Sequence, residues 1–288
     1  MIRAGRLHPL TIIWALLLGL AVSPVSHAAA SRYFVTSDGA RLHYQEAGTG
    51  YTLVFVPGWT MPGDIWRAQV DHFAKAYRVV AFDPRGQGKS EITPAGYTVE
   101  RRARDIEELL AAVGDESVVL IGWSLGVLES LAYVGAYGTR RLAAVVLVDN
   151  SIGEEPPPVS DPTFLTRLRK ERTKTVDRFV RSMYRQPQSE KYLKGIVAAA
   201  LRTPLQASVD LLSYPYPRER WREMVYQIDR PLSYIVTSKF EGQARNLKKN
   251  RPDAWVEIFP TAGHALFVDE PARFNDYLSK FITSASRH

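Results

Sequence analysis

Val118-Val119-Leu120-Ile121-Gly122-Trp123-Ser124-Leu125-Gly126-Val127-Leu128 decides the architecture of this 288-residue chain. Its first four residues are apolar and mostly β-branched, as in a strand buried on both faces. Val127, Leu128, Leu131, Ala132 and Val134 continue as an apolar helix. Between them stands Gly122-x-Ser124-x-Gly126. A strand that reverses into a helix over so few residues puts Ser124 on a very tight, strained turn. A side chain at either glycine would collide with the neighbouring strand or helix. The turn lifts the Ser124 hydroxyl clear of the sheet's C-terminal edge. It also aims the N–H of Leu125, first in the helix, at the place where an oxyanion would form. Ser124 is therefore the candidate nucleophile, in the strand–turn–helix setting that G-x-S-x-G requires.

On either side of this turn, strand and helix patterns alternate. Candidate strands are Tyr33–Thr36, Leu42–Glu46, Leu53–Val56, Val79–Phe82, Val118–Ile121 and Ala143–Val148, the last four almost purely apolar. One helix carries Trp66, Val70 and Phe73. Another carries Val99, Ala103, Ile106, Leu110 and Val113 and stops at Gly114. This alternation predicts a parallel α/β sheet. It breaks at Asn150. Glu154-Glu155-Pro156-Pro157-Pro158 reads as a stiff linker, and roughly Phe164 to Tyr226 is helical without strand signals. Strand periodicity resumes at Leu232–Thr237 and Trp255–Phe259, and a closing helix from about Pro271 carries Phe274, Leu278 and Phe281. The division expected is a leader over 1–30, a core over 31–150 and 227–288, and a helical lid over 151–226 inserted after the sixth strand.

The leader has three parts: Arg3 and Arg6, an apolar run from Leu10 to Val22, and small residues around Ser26-His27-Ala28. This is the layout of a secretory signal peptide, with cleavage after Ala28 or Ala30, and it predicts an exported protein, periplasmic or secreted. The apolar run is shorter than the ~20 residues of a spanning helix, so no stable membrane insertion is expected after cleavage. The chain has no cysteine, which excludes disulfides, a thiol nucleophile and a cysteine-based zinc site. His43, His72 and His264 lack metal-ligand spacing, so neither metal nor cofactor is expected. Net charge is +7, and setting aside Arg3 and Arg6 leaves 35 − 30 = +5. The excess is modest and concentrated between Arg167 and Arg185, a solvated basic face rather than a nucleic-acid surface. Attraction to acidic substrates is the other meaning such a face can have.

The order of strands, the turn at Ser124 and a late histidine resemble the α/β-hydrolase fold over about 33–150 and 227–288. That likeness implies a mostly parallel eight-stranded sheet flanked by helices. Gly122-Trp123-Ser124-Leu125-Gly126 is similar to carboxylesterases and to cofactor-free haloperoxidase-like and lactonase-like esterases. Phe82-Asp83-Pro84-Arg85-Gly86-Gln87-Gly88-Lys89-Ser90 resembles the structural loop these enzymes carry after their fourth strand. Relatives that open epoxides or carbon–halogen bonds attack with an aspartate at the turn, so serine here implies acyl transfer through an acyl-serine.

The resemblance also assigns partners. The second oxyanion donor follows a Pro-Gly pair, which places it at the N–H of Trp59 after Pro57-Gly58, beside that of Leu125. Thr261-Ala262-Gly263-His264 resembles the family's final Gly-His loop and makes His264 the base, a group whose pKa near neutrality lets it take and return a proton. The acid usually follows the seventh strand in a G-x-x-D segment, but here the stretch reads Thr237-Ser238-Lys239-Phe240-Glu241-Gly242. Two candidates stand: Asp149, at the tip of the sixth strand, and Glu241. Phe164, Phe179, Met183, Tyr184, Tyr214 and Tyr216 are expected to wall an apolar acyl site for a small-molecule ester. An acyltransferase or perhydrolase on the same triad, and a non-catalytic ligand-binding member of the fold, are the alternatives.

Overall fold

A computed structural model describes residues 29–286 except 116, 160 and 214. The predicted leader falls almost wholly outside the described residues; Ala30, one of its two proposed ends, opens the first strand. The strands are β1 (Ala30–Val35), β2 (Arg41–Ala47), β3 (Thr52–Val56), β4 (Arg78–Asp83), β5 (Val118–Trp123), β6 (Leu142–Val148), β7 (Leu232–Thr237) and β8 (Trp255–Phe259). They form one sheet in the order β1-β2-β4-β3-β5-β6-β7-β8. β1–β2 and β2–β4 pair antiparallel, and every other pairing is parallel. All eight strand segments expected from the sequence are present.

The helices are α1 (Arg67–Phe73), α2 (Val99–Val113), α3 (Leu125–Tyr137), α4 (Phe164–Lys170), α5 (Arg172–Ser182), α6 (Glu190–Arg202), α7 (Leu205–Asp210), α8 (Arg218–Tyr226), α9 (Glu241–Asn250), α10 (Leu266–Asp269) and α11 (Pro271–Ala285). Because strand side chains alternate between faces, the sheet builds two cores. Leu53 and Phe55 pack with α1, α11 and the inserted helices α4–α7. Val54 and Val56 pack on the opposite face with α2, α3, α8 and α9. α2 starts at Thr98, whose hydroxyl accepts the Arg101 N–H, and stops at Gly114, whose φ of 85° suits glycine.

The segment 151–226 is not uniform. α4, α5 and α6 lie on the face that holds the site, whereas α8 buries Trp221, Met224 and Val225 against α3 on the other face. The Glu154–Pro158 run is tied down rather than a free spacer. Tyr226 donates to Glu154, the Arg218 guanidinium to the Glu154 carbonyl, and Gln243 to the Pro156 carbonyl.

Candidate active site

The parallel strands end together along one edge, and that edge gathers the polar groups. Ser124 has φ 55° and ψ −119° at the β5–α3 turn. The packing explains both flanking glycines. A Cβ on Gly122 would lie 2.3 Å from the Gly126 carbonyl oxygen, and one on Gly126 would lie 2.5 Å from that of Val56. Gly58 likewise abuts the serine, since a Cβ there would meet Ser124 Cβ at 2.8 Å. Leu125 begins α3, so its N–H lies outside the helical ladder. Trp59 follows Gly58 on the turn that touches Ser124. Its indole is buried and donates to the Ser208 carbonyl at 2.7 Å, a packing role for that side chain.

His264, on the loop after β8, joins the edge. Its Nε2 lies 2.8 Å from Ser124 Oγ and its Nδ1 lies 2.7 Å from Asp149 Oδ2. A carboxylate only accepts, so Nδ1 carries the proton and Nε2 is left to accept from the serine hydroxyl. Asp149 is sealed at 1% exposure, while the His264 side chain keeps 26%. The other oxygen of Asp149, Oδ1, accepts from the Thr237 N–H at 2.7 Å and the Thr237 hydroxyl at 2.8 Å. Glu241 is elsewhere, in an ion pair with Arg245 one turn along α9. Of the two candidate acids, the structure brings Asp149 alone to the imidazole.

Among the described residues, the three non-glycine residues with positive φ are Thr60, Ser124 and Asp149. All three belong to this edge, which is where strained backbone clusters when geometry is held for chemistry.

A second serine–histidine–aspartate set exists. Ser31 Oγ lies 2.6 Å from His43 Nε2, and His43 Nδ1 lies 2.7 Å from Asp83 Oδ2. It sits across β1, β2 and β4, with the His43 ring fully buried. Asp83 also accepts the N–H groups of Gly63 and Lys89. This set has neither a tight turn at its serine nor a helix start beside it. Asp83 thus has the structural role its loop implied.

A cavity of about 600 Å³ reaches His264 and Asp149 and is walled by Phe164, Phe179, Met183, Pro260 and Ala262. Three of the expected wall residues are among these. Tyr184 instead bonds Tyr192, and Tyr216 packs tilted against Trp221 and donates to Glu100 on the far side of the molecule. Tyr216 is therefore removed from the site, and Tyr214 lies outside the described residues.

A model of the alpha/beta hydrolase family matches residues 53–277. The chain belongs to the alpha/beta hydrolase family. A non-heme chloroperoxidase of Kitasatospora aureofaciens is 38% identical over 114 residues, 39% of this chain and 42% of the relative. A soluble epoxide hydrolase of a Corynebacterium species is 37% identical over 105 residues, 36% of each. The chain therefore matches less than half the length of either relative. Among solved structures, a putative aryl esterase from Burkholderia cenocepacia superposes with a TM-score of 0.81 at 24% identity, covering 90% of this chain and all of the other. That likeness shows the shared fold.

Several supports of the site carry no sequence signature. Trp123 donates its indole N–H to the His264 carbonyl at 2.8 Å. Asn150 donates to the Ser124 carbonyl at 2.7 Å, and Tyr234 holds the Asn150 carbonyl at 2.7 Å. Asp269 accepts the N–H groups of Gly263 and Arg185, each at 2.7 Å, clamping the histidine loop to the end of α5. Gln87 donates to the carbonyls of Gly58 and Met61 at 3.1 and 2.7 Å, bracing the turn that carries Trp59.

Proposed function

We propose that the protein is a serine hydrolase that cleaves carboxylic esters, lactones and thioesters included, through an acyl-serine. The observation that carries this reading is the chain Ser124 Oγ–His264 Nε2 at 2.8 Å and His264 Nδ1–Asp149 Oδ2 at 2.7 Å. His264 takes the Ser124 proton as Oγ attacks the ester carbonyl, then gives it to the leaving alkoxide. Asp149 keeps the proton on Nδ1 and stabilises the imidazolium. The N–H groups of Leu125 and Trp59 receive the oxyanion, a contribution of ~10²–10³ in rate per donor. Water, activated by His264, then attacks the acyl-serine and restores the enzyme. Serine rather than aspartate at the turn favours this chemistry over epoxide opening. A carboxylate on Nδ1 favours turnover over a purely ligand-binding role.

α4, α5 and α6 act as the lid of this site, and the leader directs export, so the enzyme works outside the cytoplasm. Steady-state and burst hydrolysis of p-nitrophenyl acetate and butyrate tests the reading. Wild-type protein should release nitrophenol with a burst, and Ser124→Ala should fall to background. Full activity in Ser124→Ala would overturn it. The relative named a chloroperoxidase favours a second activity, acyl transfer to hydrogen peroxide in place of water. Peracid formation when peroxide is added to the ester assay tests that.

A further inference from the structure

The cavity beside His264 is apolar in its middle and cationic at its rim. Arg178 and Arg185 enter the lining from α5 and the turn after it, Lys239 from the residues just beyond β7, and Arg167 from α4. The acidic residues in the same lining are Asp149 and Asp161. Both are already engaged: Asp149 with His264, Asp161 with Arg167. Elsewhere in this basic stretch some charges are paired, while among the described residues Arg169, Lys170 and Arg172 have no carboxylate partner and do not line the cavity. Lys174 pairs with Glu171, and Arg181 pairs with Asp177 and Glu190. Among the described residues Arg178, Arg185 and Lys239 have no carboxylate partner, and all three are exposed. Three cations without a carboxylate partner thus face the cavity.

Three uncompensated cations around one opening repel each other, and an anionic ligand relieves that repulsion. The two guanidiniums suit a carboxylate, which they can hold through paired N–H donors. Phe164, Phe179 and Met183 offer the intervening carbon chain an apolar wall, and the carbonyl under attack sits at Ser124. We infer that the preferred substrates of this site are esters carrying a carboxylate several bonds from the scissile carbonyl, as in a dicarboxylic acid hemiester. This rests on the ester-hydrolase reading and specifies its substrate class. An apolar acyl group alone, as the sequence suggests, uses the wall and leaves the rim idle.

Two matched pairs of substrates test it: mono-p-nitrophenyl adipate against p-nitrophenyl hexanoate for a charge on the acyl side, and 4-carboxyphenyl acetate against phenyl acetate, followed by pH-stat, for a charge on the alcohol side. In at least one pair the anionic member should have the higher kcat/KM, by about tenfold at low salt, and 0.5 M NaCl should erase most of that preference, as expected of exposed rim charges. The double variant Arg178→Glu/Arg185→Glu should lower the anionic-to-neutral ratio about tenfold. The salt series on wild-type protein answers the question even where the variant does not fold. Equal kcat/KM within both pairs, or a ratio unmoved by salt and by charge reversal, overturns the inference while leaving ester hydrolysis intact. Absence of hydrolysis in all four cases, with no labelling of Ser124 by a fluorophosphonate, overturns the hydrolase reading and the inference with it.

Discussion

Replacing Asp149 by Asn should cost far more than removing one hydrogen bond. Asp149 Oδ1 accepts from the Thr237 N–H at 2.7 Å, and Oδ2 faces His264 Nδ1 at 2.7 Å. An amide in that place has one oxygen, and the Thr237 N–H claims it, because a backbone donor cannot face an NH₂ group. The NH₂ end is then forced onto Nδ1. His264 must present a lone pair there and carry its proton on Nε2, where it can no longer take the Ser124 proton. A wrong tautomer with intact geometry lowers kcat by about 10⁴ in a triad of this kind, close to 5 kcal/mol of transition-state stabilisation. Glu241→Gln, whose carboxylate is occupied by Arg245, should stay within about twofold of wild type. Steady-state kinetics on p-nitrophenyl butyrate, with circular dichroism to confirm folding, distinguishes the two. A folded Asp149→Asn enzyme keeping a tenth or more of kcat would refute the argument, as would an equal loss in Glu241→Gln.

Gly122→Ala forces a Cβ to 2.3 Å from the Gly126 carbonyl oxygen, so the turn must shift. A loss of about 10² in kcat/KM and about 1–3 kcal/mol of stability is expected, read by kinetics and thermal melting. Trp123→Phe keeps the ring but removes the donor to the His264 carbonyl. A cost near 1 kcal/mol, about fivefold in kcat with KM unmoved, should appear in a KM-against-kcat comparison. Glu129, buried one turn after Leu125 in α3, has its pKa pushed up to about 7 by desolvation, with Arg102 opposing. A raised acid binds its proton more tightly in the folded state, so its contribution is fully present below the unfolded value of 4.5 and is lost as pH rises through 7. Glu129→Gln should therefore gain on wild type by about 3 kcal/mol between pH 4.5 and pH 8 in denaturant unfolding. A difference independent of pH would contradict that.

The core strands and the turn at Ser124 were legible because their causes are local. A run such as Val118–Ile121 is apolar on both faces, and the glycines at 122 and 126 answer clashes within a few residues of themselves. His264 was legible through its position after the last strand. The acid was not, because Asp149 and Glu241 both follow strands that end on the same edge. What separates them is Thr237, 88 residues from Asp149, which fixes one carboxylate oxygen and leaves the other to the imidazole. Trp123, Asn150, Gln87 and Asp269 went unseen for the same reason: each bonds a group that only the fold brings near. Helical periodicity in 218–226 marks an apolar face but not the layer it meets. Hence Tyr216, just before α8 and expected at the site wall, packs with that helix on the opposite side.

Mass-spectrometric mapping after brief reaction with a fluorophosphonate, on wild-type protein and on His264→Ala, reads out directly whether His264 activates Ser124 as a nucleophile. A single adduct on Ser124, formed quickly in wild type and slowed about 10³-fold or more without the imidazole, is the predicted result. An unlabelled Ser124, an adduct on Ser31 instead, or labelling at the same rate in His264→Ala would contradict it.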